Sequence, residues 1–309
     1  MISEPQLEIL ARPPSPTEMQ KIKHTKDMVY QVLKRYLPTS QIKQNFGLSG
    51  FNYEVYLQGS YANSTNISFE SDIDIVVQLN TVFWSDKSQI SEIQQLLHKI
   101  SYSSSKYRFR NFKDQVFEAL KLGFGNDVVY SDKCLIIKEN TNRIKADVVP
   151  SFQYRVYKRF ISHSDQSFIE GMKFIDTTNL TEIVNFPKKH LENCEFKNVI
   201  TDGNFKSIVR IYKNIKQKLI ESGQLPGNSS PSFYIENLLY NCTDQCFNGN
   251  YSLSMLKTLQ FLFDALKSGR IAGFICAHEQ ESLFSDKNWD LIDAQNFITS
   301  VGGYFLKQN

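Results

Sequence analysis

Two carboxylates in a hydrophobic run constrain this chain more than any other feature. Asp72 and Asp74 alternate with Ile73 and Ile75 in a β-branched stretch that predicts a strand. Because successive side chains of a strand point to opposite faces, the carboxylates share one face and the isoleucines can be buried. Two carboxylates about 6–7 Å apart along a strand can hold a pair of divalent cations, as two-metal phosphoryl transfer requires.

A Gly-Ser pair before this strand strengthens that interpretation. Gly59 and Ser60 follow an apolar run, which predicts a strand, a tight turn and a hairpin over residues 51–79. Gly59 lets the backbone approach a phosphate, while Ser60 and the amides after it can donate hydrogen bonds to phosphate oxygens. The alternative is an edge strand with two solvated aspartates.

A third carboxylate is expected on a neighbouring strand, and Asp147 fits. It lies between Ala146 and Val148 in a β-prone run over residues 143–150, which Pro150 is expected to end. A desolvated carboxylate is costly unless it is paired or coordinates a metal, so we expect Asp147 to complete the site. The alternative is that it caps the loop at Pro150.

These motifs resemble the nucleotidyltransferase superfamily with the DNA polymerase β palm. More finely, the chain resembles the cGAS/DncV-like nucleotidyltransferases of bacterial anti-phage (CBASS) defence, and most closely their clade E. The similarity covers almost the whole chain. Its motifs are Leu-Ala-Arg-Pro-Pro-Ser-Pro-Thr-Glu at 10–18, Leu-Gln-Gly-Ser-Tyr at 57–61, Ala-Asp-Val-Val-Pro-Ser-Phe at 146–152, Phe-Pro-Lys-Lys-His at 186–190, Ile-Val-Arg-Ile-Tyr-Lys at 208–213 and Pro-Ser-Phe-Tyr-Ile-Glu-Asn-Leu-Leu-Tyr-Asn at 231–241.

The resemblance implies a template-independent enzyme that joins two NTPs, ATP and UTP above all, into a cyclic dinucleotide containing uridine or adenosine. It implies two Mg²⁺ ions, replaceable by Mn²⁺, held by the three aspartates, with Asp147 assisting deprotonation of the acceptor hydroxyl. Pyrophosphate is released, and a CBASS effector reads the product. Base order, ring size, linkage and the trigger of activity stay open.

The resemblance also implies nucleotide-binding residues in the C-terminal part. Lys213 is expected to contact the donor triphosphate, and Ser232 matches a serine with the same role. Arg210 shares a helix face with Lys213, although a solvated basic face is the alternative for lysines of this segment. Phe233 or Tyr234 falls where an aromatic ring stacks on a base, with core packing as the alternative.

Other functions stay open from the motif alone. They are a template-independent polymerase, a double-stranded-RNA-activated oligoadenylate synthase, an enzyme that adenylylates a drug or protein, and a catalytically silent nucleotide sensor. The intact aspartates and Ser60 disfavour the last of these. The chain has 35 basic and 32 acidic residues and a net charge of +3. This near balance predicts no basic surface for long nucleic acid, so we expect activity without it.

Cysteine usage and hydropathy indicate a cytoplasmic protein, expected as a monomer. Cys242 and Cys246 lie four apart, but no His or Cys pair nearby completes a zinc-like spacing, so we expect reduced thiols. The N-terminus carries Glu4 and Glu8 without an apolar core, and no run approaches the about 18–20 apolar residues of a membrane span. His190 is expected to make a structural hydrogen bond rather than to act in catalysis.

The predicted fold class is α+β: a polymerase β-like palm with a mixed sheet, flanking helices and a long N-terminal spine helix, then a helical lobe. We place the catalytic core at residues 1–195 and the helical lobe at 196–309. An irregular leader covers residues 1–14, and a capping box at Ser15 begins the spine helix, which Pro38 stops. Further helices are predicted over 90–100, 114–122, 205–222, 231–242, 252–267 and 290–306, with Glu236 near a helix start, and short strands over 128–130 and 134–137.

Overall fold

A mixed sheet of seven strands lies at the centre of one of two compact units, in a computed structural model that describes residues 1–67, 72–227, 230–285 and 289–307. Strands β1, β2, β5, β4 and β3 lie side by side in that order, and β6 pairs with β5 and β7. β2 and β5 are parallel, and the other pairs are antiparallel. The strands are β1 (Tyr53–Gln58), β2 (Asp72–Asp86), β3 (Val128–Tyr130), β4 (Leu135–Ile137), β5 (Lys145–Phe160), β6 (Gln166–Ile175) and β7 (Glu182–Asn185).

The long strand β5 changes neighbours along its length. It pairs with β4 as far as Val148 and with β6 from Phe152 onward. Pro150 lies between these two stretches. On the edge of β5 that pairs with β4 and β6, Pro150 has no partner among the described strands, so a residue without an N–H is tolerated there. The expectation that Pro150 ends the strand is therefore wrong, because β5 continues to Phe160.

Helices flank the sheet within the same unit, which comprises Pro16–Gln58 and Ser71–Lys189. The predicted spine helix is α2 (Pro16–Tyr36), and it ends before Pro38 as expected. α6 (Phe109–Phe124) packs so closely on α2 that a Cβ added to Gly123 would lie 2.4 Å from Val32 Cγ1, which explains a glycine inside a helix. This unit also contains α3 (Thr39–Phe46) and α5 (Glu92–Ser101).

The second unit is mostly helical and comprises Met1–Ser15, Gly59–Glu70 and His190–Asn309. Its core is built from apolar side chains such as Phe205, Leu262 and Val301, all fully buried. Its helices are α1 (Glu4–Leu10), α4 (Gly59–Ala62), α7 (Pro187–Ile200, which begins at the end of the first unit), α8 (Asn204–Glu221), α9 (Ser232–Tyr240), α10 (Tyr251–Ser268) and α11 (Leu291–Lys307).

The predicted irregular leader over residues 1–14 is wrong, because α1 forms within it. Leu10 is buried in the helical core. The Glu4 carboxylate accepts hydrogen bonds from the amides of Tyr251 (2.7 Å) and Ser252 (2.8 Å) at the start of α10. Its negative charge complements the positive end of that helix dipole, so the leader is fastened by a cap whose partners lie far away in the chain.

The predicted fold class agrees with the structure. The architecture is α+β, with a mixed sheet, flanking helices and a helical C-terminal part. All five cysteines are free thiols. Within the described ranges, no helix is long and apolar enough to cross a membrane.

Candidate functional site

The three predicted aspartates lie on one face of the sheet. In the parallel register of β2 and β5, Asp74 lies opposite Asp147, and Asp72 lies opposite Lys145. Because neighbouring strands are about 4.8 Å apart and alternate residues share a face, these side chains form one compact group. The two isoleucines that alternate with the aspartates of β2 are fully buried, which confirms the predicted alternation.

Asp147 is half-buried, and its charge is incompletely satisfied. Its Oδ1 is buried and has no hydrogen-bond partner among the residues that the structure describes. Burial raises the pKa of this carboxyl, Lys145 lowers it, and the negative charge of Asp72 raises it. A buried carboxylate oxygen without a partner is costly unless it binds a proton or a cation, so this group fits a cation ligand.

Lys145 belongs to the same face, and the sequence analysis missed it. Its Nζ donates to Asp72 Oδ2 in an ion pair, and this hydrogen bond raises the pKa of the ammonium. The sequence does indicate this position, because Lys145 precedes Asp147 by two residues, and residues two apart in a strand point to the same face. The positive charge of Lys145 offsets part of the combined negative charge of the three aspartates.

The Gly-Ser pair begins a short helix where β1 ends. Gly59 follows Gln58 and has φ of 69°, in the left-handed region that glycine favours. Ser60 is the second residue of α4, so the predicted tight turn is instead one helical turn. The amides of Asn63 and Thr65 donate to Gly59 O (3.1 Å) and Ser60 O (2.9 Å), so these two amides are used within the loop.

Arg210 and Lys213 share a buried face of α8, as their spacing predicts. Arg210 donates to Ala11 O (2.6 Å) and Ser64 O (2.7 Å), and Lys213 Nζ donates to Thr65 O (2.7 Å). The alternative of a solvated basic face is therefore wrong for these two residues. Their contact with a triphosphate stays a prediction.

The aromatic residues at the start of α9 divide between core and surface. Ser232 is the first residue of the helix. Tyr234 is fully buried in the helical core. Phe233 is 36% exposed, and its ring stacks on that of His190 with 4.9 Å between the centroids. Of the two rings, Phe233 is thus the one with an accessible edge, and base stacking by it stays a prediction.

Glu236 does not lie near the helix start, and that expectation is wrong. It is the fifth residue of α9 and is 1% exposed. Its carboxylate accepts hydrogen bonds from Asn63 Nδ2 (2.9 Å) and Thr65 Oγ1, and is hydrogen-bonded to His190 Nε2 (2.8 Å). His190 therefore makes the structural hydrogen bond that was predicted. Glu236 and Thr65 are 171 residues apart, so no local pattern could have revealed their contact.

Comparison with known proteins gives two family matches. Residues 40–162 match the family model of the nucleotidyltransferase domain, and residues 192–305 match that of the cGAS/DncV-like nucleotidyltransferase C-terminal helical domain. The cyclic nucleotide synthase CdnE01 of Staphylococcus haemolyticus is 37% identical over 82% of this chain and 84% of its own length.

Two solved structures extend the likeness to the fold. The Rhodothermus marinus CdnE c-UMP-AMP synthase, solved with Apcpp and Upnpp, has a TM-score of 0.83 and 32% identity, covering 100% of this chain and 99% of its own. The Elizabethkingia meningoseptica CdnE cyclic dinucleotide synthase, solved with GTP and Apcpp, has a TM-score of 0.74 and 29% identity, covering 99% and 100%.

Proposed function

The chain belongs to the cGAS/DncV-like nucleotidyltransferase family, together with the CdnE-type cyclic nucleotide synthases, and on this premise we propose its reaction. It joins two NTPs without a template into a cyclic dinucleotide, a second messenger of CBASS anti-phage signalling. The observation that carries the proposal is the strand register that sets Asp74 beside Asp147, with Asp72 on the same face. Grouped carboxylates of this kind are what two-metal nucleotidyl transfer uses.

The three aspartates fit divalent cations. Asp147 Oδ1 lacks a partner in the described part of the chain, and carboxylate oxygens are ligands that Mg²⁺ prefers. We propose that Asp72, Asp74 and Asp147 hold two Mg²⁺ ions, which Mn²⁺ can replace. When bound, the ions stabilise charge on the attacking and leaving oxygens and lower the pKa of the acceptor hydroxyl.

We propose that Asp147 also assists deprotonation of the acceptor hydroxyl, the role that the family resemblance implies for it. It takes the proton of an acceptor ribose hydroxyl, whose oxygen forms a bond to the α-phosphorus of the donor NTP. The bond to the leaving pyrophosphate breaks at the same centre. A second transfer within the linear intermediate forms the second phosphodiester, closes the ring and releases a second pyrophosphate.

For substrates we propose ATP and UTP, since the Rhodothermus relative was solved with Apcpp and Upnpp. Ser232 begins α9, where a hydroxyl and the positive end of the helix dipole suit the phosphates of an NTP, and Ser60 offers a hydroxyl next to Gly59. Gly59 allows close backbone approach. The other proposed nucleotide-binding residues are Arg210 and Lys213 for the triphosphate and Phe233 for stacking on a base.

The cellular setting is also a proposal. We propose a monomer in the cytoplasm that needs no long nucleic acid and whose product a CBASS effector reads. The five free thiols suit a reducing compartment. The near balance of 35 basic and 32 acidic residues supports the independence from nucleic acid, because an activator of this kind is held mainly by basic residues.

The test is a synthesis assay with the pure full-length chain. The protein is incubated with Mg²⁺ and each pair of labelled NTPs, with and without duplex DNA or RNA, and then treated with phosphatase. A phosphatase-resistant cyclic dinucleotide of defined mass, absent with Asp74→Asn, supports the proposal. A linear oligomer, a labelled protein or no product contradicts it, and product only with added duplex contradicts the independence from nucleic acid.

A further inference from the structure

A buried charged cluster holds the segment that follows Ser60. We call it the Glu236 cluster, and its members are 6% exposed or less although all are polar. They come from the loop after α4 and from α7, α8 and α9. The cluster consists of Asn63, Thr65, His190, Lys213 and Glu236.

Thr65 connects the cluster to the main chain of Ser60 through one hydrogen bond and is held by Glu236 through another. The Thr65 hydroxyl donates to Glu236 Oε1, and the Thr65 amide donates to Ser60 O (2.9 Å). Lys213 Nζ holds the same residue at its carbonyl, Thr65 O (2.7 Å). The side chain, amide and carbonyl of Thr65 are thus all engaged, so its position determines where Ser60 lies.

The charges in the cluster balance one another. An isolated buried carboxylate would be very costly, but His190 and Lys213 supply positive charge beside Glu236. Burial raises the pKa of Glu236, yet these partners and Thr65 outweigh it and lower the pKa overall. Glu236 therefore stays ionised and can accept from every donor that faces it.

The loop needs such a restraint. Ser64, next to Thr65, has φ of 53°, a left-handed conformation that is unfavourable for a residue with a side chain. Strained backbone persists only where its surroundings hold it, and it is common at functional sites. Arg210 adds a further hold by donating to Ser64 O (2.7 Å).

The cluster is better explained as a hydrogen-bond network than as a metal site. His190, Cys194 and Glu236 have ligand atoms within 4.8 Å of one another. However, the oxygens of Glu236 already accept from Asn63 and Thr65, and His190 Nε2 lies at hydrogen-bond distance, 2.8 Å, from Oε2. Lys213 also brings a positive charge towards the carboxylate, which opposes binding of a cation.

We propose that Glu236 is a positioning residue for nucleotide binding: acting through Thr65, it fixes the backbone of Ser60 in the orientation that receives the triphosphate. This inference rests on the proposed function, because it assigns Ser60 to NTP binding. It gives Glu236 a role in nucleotide binding without contact to the substrate, so removal of this side chain should weaken the affinity for NTP.

The test uses Thr65→Val, which keeps the shape and removes the hydroxyl, with Thr65→Ser as the variant that restores it. Thr258→Val is the matched control, since Thr258 is equally buried in the helical unit and its hydroxyl bonds to Ser254 O (2.8 Å) and Tyr212 Oη (3.0 Å). We expect Thr65→Val to raise KM for NTP about tenfold with kcat changed less than about twofold, as loss of a binding contact does. Thr65→Ser should restore KM, and Thr258→Val should leave both constants unchanged.

A double-mutant cycle decides whether the effect passes through Ser60. If Thr65 acts through Ser60, the combination of Ser60→Ala with Thr65→Val should have the KM of Ser60→Ala alone, within about twofold. Additive losses, or an equal loss in Thr258→Val, would overturn the inference, as would wild-type KM in Thr65→Val.

Hydrogen–deuterium exchange separates this inference from the proposed function, because it needs no turnover. We expect Glu236→Gln and Thr65→Val to speed exchange of the Asn63 and Thr65 amides, and Thr258→Val not to. Absence of product from the wild type, with this exchange pattern present, would refute the proposed reaction and leave the restraint on the loop standing. Unchanged exchange in both variants would refute the restraint itself.

Discussion

Replacing Asp147 by Asn should stabilise the protein while abolishing its activity. In the absence of metal, burial raises the pKa of Asp147 above its ordinary value of 3.8, and Asp72 adds repulsion. A carboxyl whose pKa is raised on folding destabilises the folded state at neutral pH, and this loss disappears as the pH falls through the raised pKa. Asn keeps the shape and removes the charge, so the variant should gain what the wild type loses.

The expected gain is about 1 kcal/mol. From the strand register, Asp72 and Asp147 are diagonal neighbours about 8 Å apart. Two charges at that distance repel by about 0.5 kcal/mol in water and about 2 kcal/mol at an effective dielectric constant of 20. Lys145 attracts the same carboxylate more strongly than Asp72 repels it, so the net gain comes from the relief of burial, which is the largest cause of the raised pKa. A gain of about 1 kcal/mol corresponds to a rise in Tm of about 2 °C in a chain of this size.

The assay has two readouts. Tm is measured with a chelator, so that metal binding does not contribute, and synthesis is measured with Mg²⁺. Loss of a metal ligand and proton acceptor should lower turnover at least about 10³-fold, equivalent to about 4 kcal/mol. Asp165→Asn is the control, because Asp165 forms an exposed ion pair with Arg159 (2.8 Å), and it should change neither turnover nor Tm appreciably. A fall in Tm of Asp147→Asn would refute the electrostatic argument, and retained turnover would refute the catalytic assignment.

Two further predictions concern Lys145, which lies beside the aspartates, and His190, which belongs to the Glu236 cluster. Lys145→Gln removes the ammonium that is paired with Asp72 and that competes with Mg²⁺ for this carboxylate. The Mg²⁺ concentration that gives half-maximal turnover should therefore fall about fivefold, equivalent to about 1 kcal/mol. An unchanged Mg²⁺ titration would contradict this prediction. Burial lowers the pKa of His190, but the interactions with Cys194 and Glu236 are stronger together and raise this pKa from 6.5 to about 10. Protonated His190 therefore stabilises the folded state fully below pH 6.5, and this stabilisation is lost as the pH rises to 10. In urea unfolding, the wild type should therefore lose more stability over this pH range than His190→Gln, and parallel curves would contradict the ion pair.

The parts of the fold that the sequence predicted depend on local rules. The alternation around Asp72 and Asp74 follows from strand geometry, and α2 begins and ends where a capping box and Pro38 indicate. The family resemblance extended these local signals to the α+β class and the helical C-terminal part, and both are confirmed. The predicted boundary between residues 195 and 196 stays a prediction.

Two of the errors share one physical cause, which is that the deciding partner lies outside the local segment. Pro150 is tolerated inside β5 because β4 and β6 pair with different parts of that strand. The N-terminal helix α1 is fastened by Glu4 to the start of α10, 247 residues away. Pattern and propensity describe neither relation, so local rules predict a strand end at Pro150 and an irregular N-terminal segment.

The same cause explains why the aspartates could be predicted and the support of Ser60 could not. A metal site made of strand carboxylates can be read locally, because alternation alone brings Asp72 and Asp74 to one face. The support of Ser60 cannot be predicted locally, because it depends on the carboxylate of Glu236 in α9, which accepts a hydrogen bond from Thr65, 171 residues earlier in the chain. Lys213 shows the consequence: its spacing from Arg210 left a solvated basic face as an alternative, yet its ammonium is fully buried and bonded to Thr65 O. A buried ammonium is stable there because Glu236 lies near it, so the charge of one residue can be interpreted only together with the other.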